Sequence, residues 1–127
     1  MTLKRRLIVA AVLFTNAALA HALDVKPYSA EALAAAQKAN LPVALHFHAD
    51  WCPTCRAQDK VLQSLKTEPG LDLTVLRADY DTEKDLKRRL GVRAQSTLVV
   101  FKGQQEVARL LGDTSTDRIR GALKAAF

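Results

Sequence analysis

Polar and apolar positions along the chain fall into blocks whose period changes from one block to the next. Residues 30–39 are alanine-rich around Leu33, a composition that predicts a helix, and Ser29 ahead of them is a fitting N-cap. Asn40 ends that helix and Pro42 prevents its continuation. Residues 41–48 are almost continuously apolar, as in a central strand covered on both faces. Val43, Leu45 and Phe47 share one face of it, and Ala44, His46 and His48 share the other. A second helix opens around residues 52–55 and runs to Thr67, with Val61, Leu62 and Leu65 at helical spacing before the breaker pair Pro69 and Gly70. Residues 71–79 predict another strand. Thr82 with Asp85 reads as a capping box for a short helix to Leu90, closed by Gly91. Residues 97–101 and 106–110 predict two strands joined by a hairpin turn at 102–105. Thr114 with Asp117 caps a last helix carrying Ile119, Leu123 and Phe127 on one stripe. Residues 23–28 read as a lead-in without a periodic signal. The order of elements places the chain in the α/β class. It implies a central mixed four-stranded sheet with helices on both faces, the final hairpin adding an antiparallel edge.

The N-terminal block is different. Lys4, Arg5 and Arg6 precede an apolar run over 7–20, interrupted only by Thr15 and Asn16 and closed by small residues. A basic start, a short apolar stretch and an Ala-x-Ala site describe a signal peptide over 1–20, with cleavage after Ala20 or after Ala22. The run is shorter than the roughly 20 residues of a membrane-spanning helix, although an uncleaved anchor is the alternative. The domain is expected over 21–127, in the periplasm or secreted. The chain of 127 residues has a net charge of +6, which hints at nucleic acid or an anionic membrane. Half of that excess lies in the signal segment and leaves with it, so nucleic acid is not an expected partner. Two cysteines in 127 residues cannot form a disulfide-dense scaffold. In an exported domain they can form a working pair.

Those cysteines are Cys52 and Cys55, in Trp51-Cys52-Pro53-Thr54-Cys55, at a strand-to-helix junction. The first cysteine of such a pair sits where unsatisfied N–H groups and the helix dipole favour a thiolate, the form that attacks a disulfide. The second is spaced to resolve the mixed disulfide. Pro53 at the first helical position loses no hydrogen bond. The less specific reading is a static disulfide or two idle thiols.

The segment Ala49-Asp50-Trp51-Cys52-Pro53-Thr54-Cys55-Arg56 resembles the active-site segment of the thioredoxin family, and residues 92–103 resemble that family's second landmark loop and strand. The wording is most similar to periplasmic thioredoxin-like domains, namely the C-terminal domain of the transmembrane disulfide reductase and the cytochrome c maturation thioredoxins. The resemblance implies a thioredoxin fold and dithiol–disulfide exchange with Cys52 as nucleophile and Cys55 as resolving thiol. It also implies protein disulfide or dithiol substrates and no cofactor beyond the redox-active disulfide. The upstream redox partner would be another protein, for which a membrane-embedded one is an option. Trp51, Pro53, Thr54, Gln95, Ser96 and Thr97 would meet the substrate.

Three positions depart from the family pattern. Ser96 stands where the family has a cis-proline, so the Gln95–Ser96 bond is expected to be trans. His46 stands where the family often has a buried acid. It is a candidate proton relay, and as an imidazolium it would favour a thiolate; a neutral core histidine is the alternative. Arg77 stands where a lysine is common and can supply only charge. These departures open two other readings. His46, His48, Cys52 and Cys55 could form a Zn or Cu site, or the chain could be a catalytically weak thioredoxin-like binding module.

Overall fold

The computed structural model describes residues 22–127. The expected signal peptide lies outside them. Among the described residues no helix is long and apolar enough to cross a membrane.

The elements run β1 (Asp24–Pro27), α1 (Ala30–Lys38), β2 (Pro42–His48), α2 (Pro53–Ser64), β3 (Thr74–Asp79), α3 (Lys84–Leu90), β4 (Thr97–Lys102), β5 (Gln105–Leu111) and α4 (Thr116–Lys124). One sheet has the strand order β1-β3-β2-β4-β5. β3 is parallel to β1 and β2, while β4 is antiparallel to both β2 and β5. The sheet therefore has five strands, not the expected four. The additional strand is β1, in the segment read as a lead-in. Its residues are mostly exposed and mixed in character, so no alternation marks it. It is a strand because it pairs with β3, from Asp24 N–H to Leu73 C=O at 3.0 Å through to Tyr28 N–H to Arg77 C=O at 2.9 Å.

The period of two along β2 divides the core between the two faces of the sheet. Val43, Leu45 and Phe47 pack with Leu33 of α1 and Leu86 of α3. Ala44 packs on the other face with Leu62 of α2 and with Ile119 and Leu123 of α4. His46 and His48 point to that second face too, which places them under α2.

Helix ends follow local chemistry, with two corrections. Ser29 Oγ accepts the Ala32 N–H at 3.0 Å, as an N-cap should. α3 has no side-chain cap. Its N-cap is Glu83, and Asp85 pairs instead with Arg88. α4 is capped by Ser115, one residue after Thr114, with Ser115 Oγ accepting the Arg118 N–H at 3.4 Å. Asp117 is drawn to Arg120. Phe127 is exposed, unlike Ile119 and Leu123 on the stripe before it. α2 ends at Ser64 and a 3-10 turn covers 65–67.

Candidate active site

Cys52 is the N-cap of α2 and Pro53 its first residue, so the strand β2 delivers the cysteine pair to a helix N-terminus. Cys52 Sγ accepts the Cys55 N–H at 3.1 Å, which aims one of the helix's unpaired donors at the sulfur. Cys52 and Cys55 are joined in a disulfide, with their Cα atoms 5.3 Å apart. Cys52 is 1 % exposed and Cys55 is fully buried. Beside them Trp51 is 58 % exposed, its indole Nε1 donating to Asp81 Oδ2 at 2.8 Å. Trp51 also lines a cleft of about 330 Å³ with His48, Asp50, Arg77, Asp79 and Asp81.

The loop before β4 faces the disulfide. The Gln95–Ser96 bond is trans, and no peptide bond among the described residues is cis. Ser96 has φ +64°, in the left-handed region. Its side chain is buried, with Oγ 3.2 Å from Cys52 Sγ and 3.1 Å from Cys55 Sγ. Thr97 Oγ1 donates to Ala94 C=O at 2.7 Å. Of the residues expected to meet substrate, Trp51 and Pro53 lie exposed at the rim, Thr54 and Gln95 are half-buried, and Ser96 and Thr97 are buried.

Beneath the disulfide lies a polar layer that the residue pattern only partly announces. His46 is fully buried, and its Nε2 lies 2.8 Å from Gln58 Oε1. Gln58 Nε2 donates to the carbonyls of Ser96 at 3.0 Å and Asp113 at 2.9 Å. Those two acceptors orient the amide, so Oε1 faces the imidazole and His46 carries its proton on Nε2. The other nitrogen, Nδ1, has no hydrogen-bond partner and faces Asp59 Oδ1 at 3.6 Å. Burial pushes the His46 pKa down to about 4, outweighing the opposing pull of the Gln58 hydrogen bond and the Asp59 charge. His46 is therefore neutral at neutral pH. The imidazolium considered from the sequence is not its resting form.

Asp59 is the hub of this layer. Its Oδ2 lies 2.9 Å from His48 Nε2, and its Oδ1 accepts from Arg77 at 2.7 Å. An acid is thus present under the site, on α2 and not on the strand. Gln58 and Asp59 escaped the motif reading, although a signal exists. They stand three and four residues after Cys55, on the stripe of α2 that also carries the buried Leu62, and polar residues at inward helical positions demand buried partners.

The four-residue metal set is not assembled. His46 turns to Gln58 and His48 to Asp59, and among the described residues no three His, Cys, Asp or Glu side chains are grouped to hold a metal ion.

Comparisons with known proteins agree with this geometry. The family model described as Thioredoxin matches residues 24–125. A thioredoxin of Mycobacterium bovis is 40% identical over 73 residues, covering 58% of this chain and 63% of that protein. A thioredoxin of Rhodospirillum rubrum is 35% identical over 75 residues, covering 59% of this chain and 72% of that protein. Among solved structures, Trxlp from Edwardsiella tarda superposes with a TM-score of 0.74 at 38% identity, covering 79% of this chain and 98% of that one. Thioredoxin O2 of Arabidopsis thaliana, in the oxidised state, superposes with a TM-score of 0.67 at 28% identity, over 82% of this chain and 93% of that one. With a family match across nearly all the described residues and a cysteine pair capping the helix after β2, the chain belongs to the thioredoxin family.

Proposed function

We propose that this protein is a thiol–disulfide oxidoreductase that reduces disulfides of protein substrates in the periplasm. The observation that carries the reading is the placement of Cys52 as the N-cap of α2, with the Cys55 N–H directed at its sulfur at 3.1 Å. A thiolate there gains the helix dipole and a charge-assisted hydrogen bond.

The Cys52 thiolate attacks one sulfur of a substrate disulfide, and the other substrate sulfur leaves as a thiolate. Cys55 then loses its proton and attacks Cys52 Sγ. The Cys52–Cys55 bond forms, the second substrate sulfur departs, and two electrons have passed to the substrate. Trp51, Pro53, Thr54 and Gln95 form the rim that meets the substrate; Ser96 and Thr97 shape it from below. Since Cys52 is 1 % exposed, side chains of this rim must shift as a substrate sulfur approaches.

His46 is the proton relay of this reading: its Nδ1 has no hydrogen-bond partner and faces Asp59 Oδ1 at 3.6 Å. A neutral imidazole adds no positive charge near the thiolate, which favours a reductant over an oxidant. A second redox protein, membrane-embedded in this reading, must return electrons to the pair. The basic start and apolar run of residues 1–20 support export.

Reduction of insulin disulfides and equilibration with glutathione test the activity. A potential near about −270 mV supports the reductant and one near about −120 mV reverses the direction. No exchange by folded protein sinks the reading. N-terminal sequencing of exported protein should find a start at His21 or Leu23; a retained Met1 would make the segment an anchor.

A further inference from the structure

Ser96 combines a left-handed backbone, three backbone anchors and a buried hydroxyl beside both sulfurs. It is a non-glycine residue in the left-handed region, at φ +64°. Such a conformation is uncommon and persists only where the surroundings over-determine it. Asn40, at φ +54°, is the only other such non-glycine residue among those described, and asparagine tolerates that region well. Ser96 is held there by its own backbone bonds. Its N–H donates to Phe47 C=O at 2.9 Å, and its C=O accepts from Gly112 N–H at 3.0 Å and from Gln58 Nε2 at 3.0 Å. Three anchors on β2, on the segment after β5 and on α2 thus fix one hydroxyl. That hydroxyl lies within 3.2 Å of both reactive sulfurs.

Neither sulfur of a disulfide has a proton, so in the oxidised protein the Ser96 O–H can only donate, and to weak acceptors. Reduction changes the partners. One sulfur becomes an anion and a strong acceptor, while the other becomes a thiol and a donor. A hydroxyl both donates and accepts, so it can satisfy the two at once.

We propose that the Ser96 hydroxyl is a catalytic hydrogen-bond donor to the Cys52 thiolate, accepting in turn from the Cys55 thiol, and that it thereby stabilises the reduced pair over the disulfide. The proposal rests on the exchange reading of Cys52 and Cys55. The hydroxyl keeps its proton throughout. When Cys52 bonds to a substrate sulfur, the negative charge leaves with the other substrate sulfur and the charge-assisted bond is lost. When Cys55 attacks, its proton passes to the polar layer of His46 and Asp59, and the hydroxyl again faces a disulfide. A proline at this position could supply no such donor.

The test compares wild type with Ser96→Ala and Ser96→Gly. Glycine retains the left-handed backbone while removing the hydroxyl. The midpoint of thiolate formation is followed by ultraviolet absorbance of the reduced protein, and the dithiol–disulfide equilibrium is measured against glutathione. Circular dichroism checks folding. Both variants should raise the midpoint by about one pH unit and shift the equilibrium about tenfold toward the disulfide, the scale of one charge-assisted hydrogen bond. Unchanged values in Ser96→Gly overturn the proposal, whether or not Ser96→Ala folds. A shift in the alanine variant alone assigns the effect to the backbone and also overturns it. Failure of wild type to equilibrate with glutathione overturns the exchange reading itself, while the thiolate midpoint still reports on the hydroxyl.

Discussion

His46 and Gln58 face each other across 2.8 Å in the layer beneath the disulfide, the imidazole donating from Nε2 to the amide oxygen. The contact joins the central strand β2 to the active-site helix α2. It also determines which imidazole nitrogen is free.

Acid should destabilise the fold through His46. Its pKa falls from 6.5 in the unfolded chain to about 4 in the folded protein. Between those values the unfolded chain binds more protons, so stability rises with pH. As pH drops from 6.5 towards 4 the contribution is lost, by about 3 kcal/mol in all. Urea unfolding at a series of pH values should show this slope, and His46→Leu should flatten it. An unchanged slope in that variant would place the acid sensitivity elsewhere.

Gln58→Leu should be among the more damaging single substitutions. It leaves the His46 Nε2 proton and the Asp113 carbonyl without the partners Gln58 supplies. Each buried polar group stranded in this way costs about 1–3 kcal/mol. Denaturant melts should register a loss of about 3 kcal/mol. A loss below about 1 kcal/mol would mean that water replaces the amide.

Asp59→Asn should lower the His46 pKa further, since the Asp59 carboxylate is one of the groups holding it up. NMR titration of the His46 imidazole reads the shift directly. Arg77 loses the carboxylate it donates to at 2.7 Å, so its guanidinium should also become more mobile. An upward shift of His46 would contradict the placement of Asp59 beside Nδ1.

Gly103→Ala should be costlier than Gly91→Ala, although both positions have positive φ. At Gly103 a Cβ would collide with the Asn40 side chain and lie 3.2 Å from its Cα, whereas at Gly91 it meets nothing within 4 Å. The difference should appear as a lower melting temperature for the Gly103 variant. Equal losses would show that backbone strain alone governs both turns.

Much of the scaffold was legible because its signals are local. The unbroken apolar run of β2 and the alternation of Val43, Leu45 and Phe47 against Ala44, His46 and His48 place the two faces correctly. Ser29 caps α1 and Gly91 closes α3 in the left-handed region, as their neighbours' chemistry demands. The cap of α4 is Ser115, one residue after the expected Thr114, because the two offer equivalent hydroxyls and backbone direction chooses between them.

The motif around Cys52 and Cys55, its position before a helix and the departures at His46 and Ser96 belong to the sequence alone, because each depends on residue type and spacing. Tertiary structure decided the rest. β1 is a strand only because β3 offers it an unpaired edge. His46 is neutral because α2 and the sheet close over it and remove water. Asp59 lies by the histidines, and Ser96 Oγ by both sulfurs, through contacts between segments 11 to 44 residues apart. Desolvation and long-range hydrogen bonding act across space, so no local run of residues records them.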